Sequence, residues 1–147
     1  MKLKDILNKK GKVVWTVKAN QTIQQALSIL VTKKIGSLVV LDESDRIAGI
    51  ISERDIIFGS YVHPREVVDL PVSKFMTKKV IIGSPEDETK YIMGIMTQNR
   101  VRHIPVVHEE KLQGLVSIGD VVKSVIDDSD YEIHYLKEYI YGRSQES

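Results

Sequence analysis

The sequence predicts an α+β (mixed α/β) protein built from two copies of one unit: helix, strand, helix, strand, strand, helix. Three observations lead there. One short stretch is written twice, as Gly49-Ile50-Ile51-Ser52-Glu53-Arg54-Asp55 and as Gly114-Leu115-Val116-Ser117-Ile118-Gly119-Asp120. Gly, two branched apolar residues, Ser and Asp keep the same spacing in both. The likeness continues upstream, where residues 35–41 lie over residues 101–107 once a residue is dropped from the turn around Asp45, and Ile23, Ala26, Leu27 and Leu30 fall on Thr89, Ile92, Met93 and Met96. Within each copy, runs of helical period alternate with short β-branched runs. The unit is roughly 60–70 residues long, so only two copies fit, which makes a duplicated module and not a solenoid.

Leu3, Ile6 and Leu7 mark one face of a short leading helix, and Gly11 supplies its left-handed stop. Val72, Phe75 and Met76 repeat that face after Pro71, so each copy has its own leading helix. Residues 13–17 (Val-Val-Trp-Thr-Val) read as a strand, with residues 80–82 (Val-Ile-Ile) as counterpart. Ile23, Ala26, Leu27, Leu30 and Val31 then share a helical face, and Thr22 with Gln25 makes a capping box. In the second copy Asp87 or a neighbour caps a weaker helix through Ile92, Met93 and Met96. Gly94 interrupts it at a cost of about 1 kcal/mol against alanine, which suggests close packing there. Residues 38–41 and 47–51, joined through Asp42-Glu43-Ser44-Asp45, are antiparallel strands. Residues 104–107 and 112–116 repeat them around His108-Glu109-Glu110-Lys111.

After each pair Ser-x-x-Asp opens another helix, carrying Ile56, Ile57 and Phe58 or Val121, Val122, Val125 and Ile126. Between the copies, His63-Pro64 breaks the chain and residues 66–69 form a helical turn. Beyond Asp128, Ser129 and Glu132 make another capping box, Ile133, Leu136 and Ile140 an apolar face ended by Gly142, and Tyr131, Tyr135 and Tyr139 an aromatic stripe. The division is residues 1–70, residues 71–128, and a terminal helix and tail over 129–147. So apolar a terminal helix points to a homodimer interface.

The chain has 147 residues and a formal net charge of +1. A private core in each half would be marginal at this size, so the halves are expected to share one. Cysteine is absent, which excludes disulfides, thiolate nucleophiles and Cys-ligated zinc, and fits a reducing compartment, the cytoplasm by default. Lysines scattered among acidic residues leave no basic stripe, which argues against nucleic acid. No stretch approaches the ~20 apolar residues that span a bilayer, and no long apolar run follows the N-terminus. The expectation is a soluble, unprocessed chain without a membrane partner.

A helix starting directly after a strand aims unpaired N–H groups and its positive dipole end at whatever lies beyond, which suits an anion. An ionised Asp one turn in is acceptor-only and matches two adjacent hydroxyls such as those of a ribose. Ser52 and Ser117 can serve a sugar or a phosphate, and Arg54, Arg102 and His103 supply cations. Ser-x-x-Asp is also a helix cap, which a duplicated fold copies with everything else. The residues leave both readings open, although the three cations do nothing for a cap. His63, His108 and His134 lack metal-ligand spacing and read as structural. Nothing assembles a nucleophile with its base, a metal cluster or a Walker-type loop, so no catalysis and no metal are expected.

The doubled Gly-h-h-Ser-x-x-Asp after a strand pair, the Arg-His-Ile-Pro-Val segment from Arg102, Ile-Gly-Ser-Leu-Val-Val from Ile35 and Ser-Glu-Arg-Asp from Ser52 closely resemble the cystathionine-β-synthase (CBS) domain family. Two copies look like a stand-alone CBS pair, or Bateman module, over nearly the whole chain. The resemblance implies a small three-stranded sheet with flanking helices in each copy, and two sheets packed about a pseudo-twofold axis with clefts between them. It also implies that the clefts bind AMP, ADP, ATP, NAD(H), S-adenosylmethionine or diadenosine polyphosphates. By position, Asp55 and Asp120 would hold ribose hydroxyls, with Ser52, Ser117 and Gly119 at the ribose or phosphate. Arg54, Arg102 and His103 would face phosphate. The backbone near Thr16, Val17, Lys18, Ile81, Ile82 and Gly83 would line the adenine pocket, and Val39 and Ile104 would flank the base. Where the second copy has His103, Ile104 and Pro105, the first has Ser37, Leu38 and Val39, so unequal clefts are expected. The expected function is a nucleotide sensor acting on an unidentified partner protein or by ligand buffering. The alternative is a ligand-free dimerisation scaffold of the same fold.

Overall fold

The computed structural model describes residues 1–11 and 13–128. In chain order the elements are α1 (Leu3–Lys10), β1 (Thr16–Lys18), α2 (Ile23–Lys33), β2 (Ser37–Leu41), β3 (Ile47–Ser52), α3 (Glu53–Val62), α4 (Thr89–Asn99), β4 (His103–His108), β5 (Lys111–Ser117) and α5 (Ile118–Asp127), with 3-10 turns at Val67–Asp69 and Val72–Lys74. The mixed α+β duplication is therefore present. The terminal helix expected after Ser129 lies outside the described residues.

Thr22 caps α2 as the sequence predicts, its Oγ1 accepting from Gln25 N at 3.2 Å while Gln25 Oε1 accepts from Thr22 N at 2.9 Å. α4 differs: Glu88 precedes it without a side-chain cap, and Asp87 closes the previous turn by accepting from Ser84 N at 2.8 Å. α2 and α4 end alike, on left-handed Lys34 and Arg100. At Gly11 φ is +94°, as the stop requires, but ψ is 157°, so the chain leaves α1 extended toward β1 instead of in a left-handed turn. The second leading segment is only the 3-10 turn at Val72–Lys74. At Gly94 the expected close packing is absent among the described residues, where an added Cβ would meet nothing within 4 Å.

The first sheet has three strands in the order β1-β2-β3, with β1 parallel and β3 antiparallel to β2. The second has two, β4 and β5. The strand expected over residues 80–82 shrinks to one bridge, where Gly83 N donates to Pro105 O and Val107 N to Gly83 O, both at 2.8 Å. Two prolines explain the loss. In the first copy Ala19 N extends the ladder by donating to Leu41 O at 2.9 Å, whereas Pro85 at the matching place has no N–H. On the other side Pro105 stands where Val39 does and also lacks one, so neither neighbouring bond can form.

Among the described residues two hydrophobic cores form, not the single shared one expected. The first gathers Val17, Ile23, Ala26, Leu30, Leu38, Val40, Ile51, Ile56, Val67 and Val72. The second gathers Leu3, Ile6, Leu7, Ile92, Met96, Ile104, Val106, Val116 and Val121. Each copy therefore packs against the leading segment of the other. The exchange is stitched by matched backbone bonds: Leu3 N to Asp87 O, Lys4 N to Pro85 O and Thr89 N to Met1 O on one side, and Val72 N to Gln21 O, Ser73 N to Ala19 O and Ile23 N to Leu70 O on the other. A small core thus gains a helix from the other copy, which offsets the deficit that each half would have alone.

Candidate functional site

Both Ser-x-x-Asp stretches sit where a strand becomes a helix. Ser52 and Ser117 hold extended backbone, with φ of −117° and −97°, so the chain turns there from strand into α3 and α5. Ser52 Oγ accepts from Asp55 N at 3.3 Å, and Asp55 Oδ2 accepts from Ser52 N at 2.9 Å and Ser52 Oγ at 3.0 Å. In the second copy Ser117 Oγ accepts from Asp120 N at 3.1 Å and Asp120 Oδ2 from Ser117 N at 2.9 Å. The capping reading is thus realised twice, and it takes one oxygen of each carboxylate. Oδ1 is left over. Among the described residues, Oδ1 of Asp55 accepts only from Thr77 Oγ1, at 3.4 Å, and no hydrogen bond reaches Oδ1 of Asp120.

The strand pairs bring further predicted residues to these helix starts. Register sets Ser37 opposite Ser52 and His103 opposite Ser117. Glu53 N donates to Gly36 O at 3.0 Å and Ile118 N to Arg102 O at 2.8 Å, fixing each helix to the residue before its hairpin. Side chains alternate along a strand. Since Leu38 and Val40 enter the first core and Ile104 and Val106 the second, Ser37, Val39, His103 and Pro105 lie on the opposite faces. Ser37 Oγ is buried there with no partner among the described residues.

Other predicted residues are placed elsewhere. Ile104 is fully buried in the second core and Val17 is buried in the first, so packing occupies both side chains. Lys18 pairs with Asp45 in the first hairpin turn, committing its ammonium there. Thr16 and Ile81 are half-buried, while Ile82, Arg54, Arg102 and Gly119 are exposed.

The second carboxylate has a partner that the sequence reading missed. Lys10 Nζ, at the end of α1, donates to Asp120 Oδ2 at 2.6 Å and to Leu115 O at 2.9 Å. One signal could have found it: Lys10 stands three residues after Leu7, on the face that packs over Gly114. Burial raises the Asp120 carboxyl, but the hydrogen bonds from Lys10 and Ser117 outweigh it and hold the group below the usual carboxylate range. His103 is held below the ordinary histidine value, first by burial and then by Lys10, with Arg102 adding to the shift and Asp120 and Glu53 opposing it. Glu53 comes from the first copy, so this charge cluster draws on both. A concavity of about 150 Å³ adjoins Asp120, lined by Ile6, Lys9, Lys10 and Lys123 among others. A larger one, about 630 Å³, lies between α2 and α3 among Leu27, Leu30, Val31, Ile56 and Ile57. Among the described residues no group of three or more His, Asp or Glu side chains could hold a metal, and no helix is long and apolar enough to cross a membrane.

A duplicated unit with a capped Ser-x-x-Asp at each helix start and leading segments exchanged between copies defines a tandem pair of small α+β modules. A protein-family model described as CBS domain matches residues 3–60 and 72–127. The chain belongs to the CBS domain family, as a pair. It is 35% identical over 149 residues to the CBS domain-containing protein CBSX3, mitochondrial, of Arabidopsis thaliana, covering 95% of this chain and 72% of that protein. The crystal structure of a CBS-domain containing protein from Agrobacterium tumefaciens matches with a TM-score of 0.80 at 38% identity, over 85% of this chain and 93% of that one. A CBS domain pair solved in complex with 5′-methylthioadenosine and S-adenosyl-L-methionine matches in fold, with a TM-score of 0.75 at 24% identity, over 88% of this chain and 98% of that one.

Proposed function

We propose that the chain is a regulatory module that binds an adenosyl compound of the AMP, ADP, ATP, NAD(H) or S-adenosylmethionine class, has no catalysis of its own, and passes its occupancy to a partner protein. One observation carries the reading: in each copy the cap uses only one oxygen of the carboxylate, and the other is left at a helix start to accept from ribose hydroxyls. The backbone N–H of Arg54 and of Gly119, which neither cap nor hairpin takes among the described residues, and, in the second copy, Arg102 and His103 suit a phosphate. The 5′-methylthioadenosine and S-adenosyl-L-methionine held by the domain-pair relative support the ligand class.

A thermal-shift panel of AMP, ATP, NADH and S-adenosylmethionine tests it, because a ligand at 100 times its Kd stabilises by about 2.7 kcal/mol. Asp55→Ala and Asp120→Ala should each weaken binding at their own cleft by roughly 1.5–3 kcal/mol, the worth of a charge-assisted hydrogen bond. Early melting with normal binding per folded molecule would leave the carboxylates as caps alone.

The scaffold reading has its own support. Ile57, Phe58 and Tyr61 on α3 are 70%, 62% and 86% exposed, and Val31 on α2 is 73% exposed, beside the groove between the two helices. A patch of this kind marks an association surface. A homodimer joined there should become monomeric by light scattering on Phe58→Glu. A dimer that survives that change places the contact elsewhere.

A further inference from the structure

The duplication gives the exposed patch on the first copy an internal control. Matched by position, Val31, Phe58 and Val62 fall on Thr97, Lys123 and Asp127 of the second copy, and Ile57 falls on Val122. The second copy therefore forms the same unit with polar groups at most of these places, so the fold itself does not require the apolar ones. The helices differ in the same sense. α4 and α5 pack along each other, whereas α2 and α3 stand apart around the concavity of about 630 Å³. Leu27, Val31, Ile56 and Ile57 line it together with Lys34 and Glu53, both exposed. Neither charge has an ion pair among the described residues. An apolar groove with a cation and an anion beside it is the kind of seat that an amphipathic helix takes.

We propose that the occupant is the terminal segment of this chain, residues 129–147, seated with Ile133, Leu136 and Ile140 in the groove between α2 and α3. The inference rests on the reading of this patch as an association surface and is independent of the clefts. The apolar residues of the segment stand at i, i+3 and i+7, the spacing with which a helix lays one face into a groove. Glu132 and Lys137 flank them, one charge of each sign, as Lys34 and Glu53 do in the groove. Pairing Glu132 with Lys34 and Lys137 with Glu53 sets the direction of the segment more than its affinity. The copy that the segment leaves offers its apolar face less. α1 already covers the second core through Leu3, Ile6 and Leu7, and Thr97, Lys123 and Asp127 stand where the patch would be. Seating the segment on the first copy removes two apolar surfaces from water at once.

Because the chain has no cysteine, an introduced pair of thiols reads the contact directly. In the full chain under oxidised glutathione, Val31→Cys with Leu136→Cys should form a disulfide roughly tenfold or more faster than Thr97→Cys with Leu136→Cys, since a seated segment holds its thiol at high effective concentration. Val31 and Thr97 are both exposed, so neither substitution opens a core. Adding Ile57→Glu should slow the Val31 pair toward the rate of the Thr97 pair. Non-reducing mass measurement shows whether the groove takes the segment of its own chain or that of a second copy, and a bond of either kind supports the seat. Equal rates for the two pairs, a faster Thr97 pair, or no bond at position 31 overturn it. If Phe58→Cys alone links two chains while the Val31 pair stays reduced, the α3 of a second copy holds the groove; the segment proposal then fails and the association-surface reading stands. If none of these bonds forms and the unsubstituted chain is monomeric by light scattering, both fail together.

Discussion

Gly49→Ala should destabilise the first copy and disturb its candidate site at once. A Cβ at Gly49 would lie 2.6 Å from Thr77 O and 3.0 Å from Met76 Sδ. Ordinary contact begins at 3.4 Å, so the Thr77 carbonyl must retreat by most of an ångström. That carbonyl accepts from Ile50 N at 3.0 Å, and Thr77 N donates to Ile50 O at 2.8 Å, so both bonds stretch as it moves. Overpacking costs about 1–3 kcal/mol, and weakened backbone bonds put the expected loss in the upper half of that range. Because Thr77 Oγ1 also donates to Asp55 Oδ1, at 3.4 Å, ligand binding at the first cleft should fall with it. Gly114→Ala is the comparison. Its nearest neighbour, at 2.5 Å, is the Leu7 side chain, which can rotate where a carbonyl cannot. Urea unfolding of the three proteins measures both costs. A Gly49→Ala loss no larger than that of Gly114→Ala, or below about 0.5 kcal/mol, would refute the packing argument, since surface-like changes fall within that range.

Gly94→Ala should stabilise the chain by about 0.8–1 kcal/mol, because the helix gains an alanine and the new Cβ meets nothing within 4 Å; a raised urea midpoint with unchanged slope is the expected result. The pH dependence of stability should carry the mark of His103. Its folded pKa lies below the ordinary value, so the unfolded chain takes up a proton first as pH falls through about 6.5, and stability drops below that pH. His103→Gln should lose less stability than the unsubstituted chain between pH 7.5 and pH 5.5, measured by urea midpoint at each pH, and equal losses would refute the assignment.

Sequence alone determined the elements whose causes are local. The doubled Ser-x-x-Asp, the Thr22–Gln25 cap, the hairpins and the helical faces all depend on residues a few positions apart, and their spacing states their geometry. The family resemblance was legible for the same reason. The missing strand was half-legible: Pro85 and Pro105 stand in the sequence, but their effect depends on which N–H groups the parallel ladder would use. Gly94 misled because a mid-helix glycine states that a side chain is absent and not what stands opposite. Only the tertiary structure decided that α1 packs in the second core, that two cores form in place of one, and that Lys10 reaches Asp120. Those last two residues are 110 positions apart. A contact over that separation leaves no period and no turn signal; it exists because the leading segments cross between copies, and a crossing is fixed by packing and not by spacing.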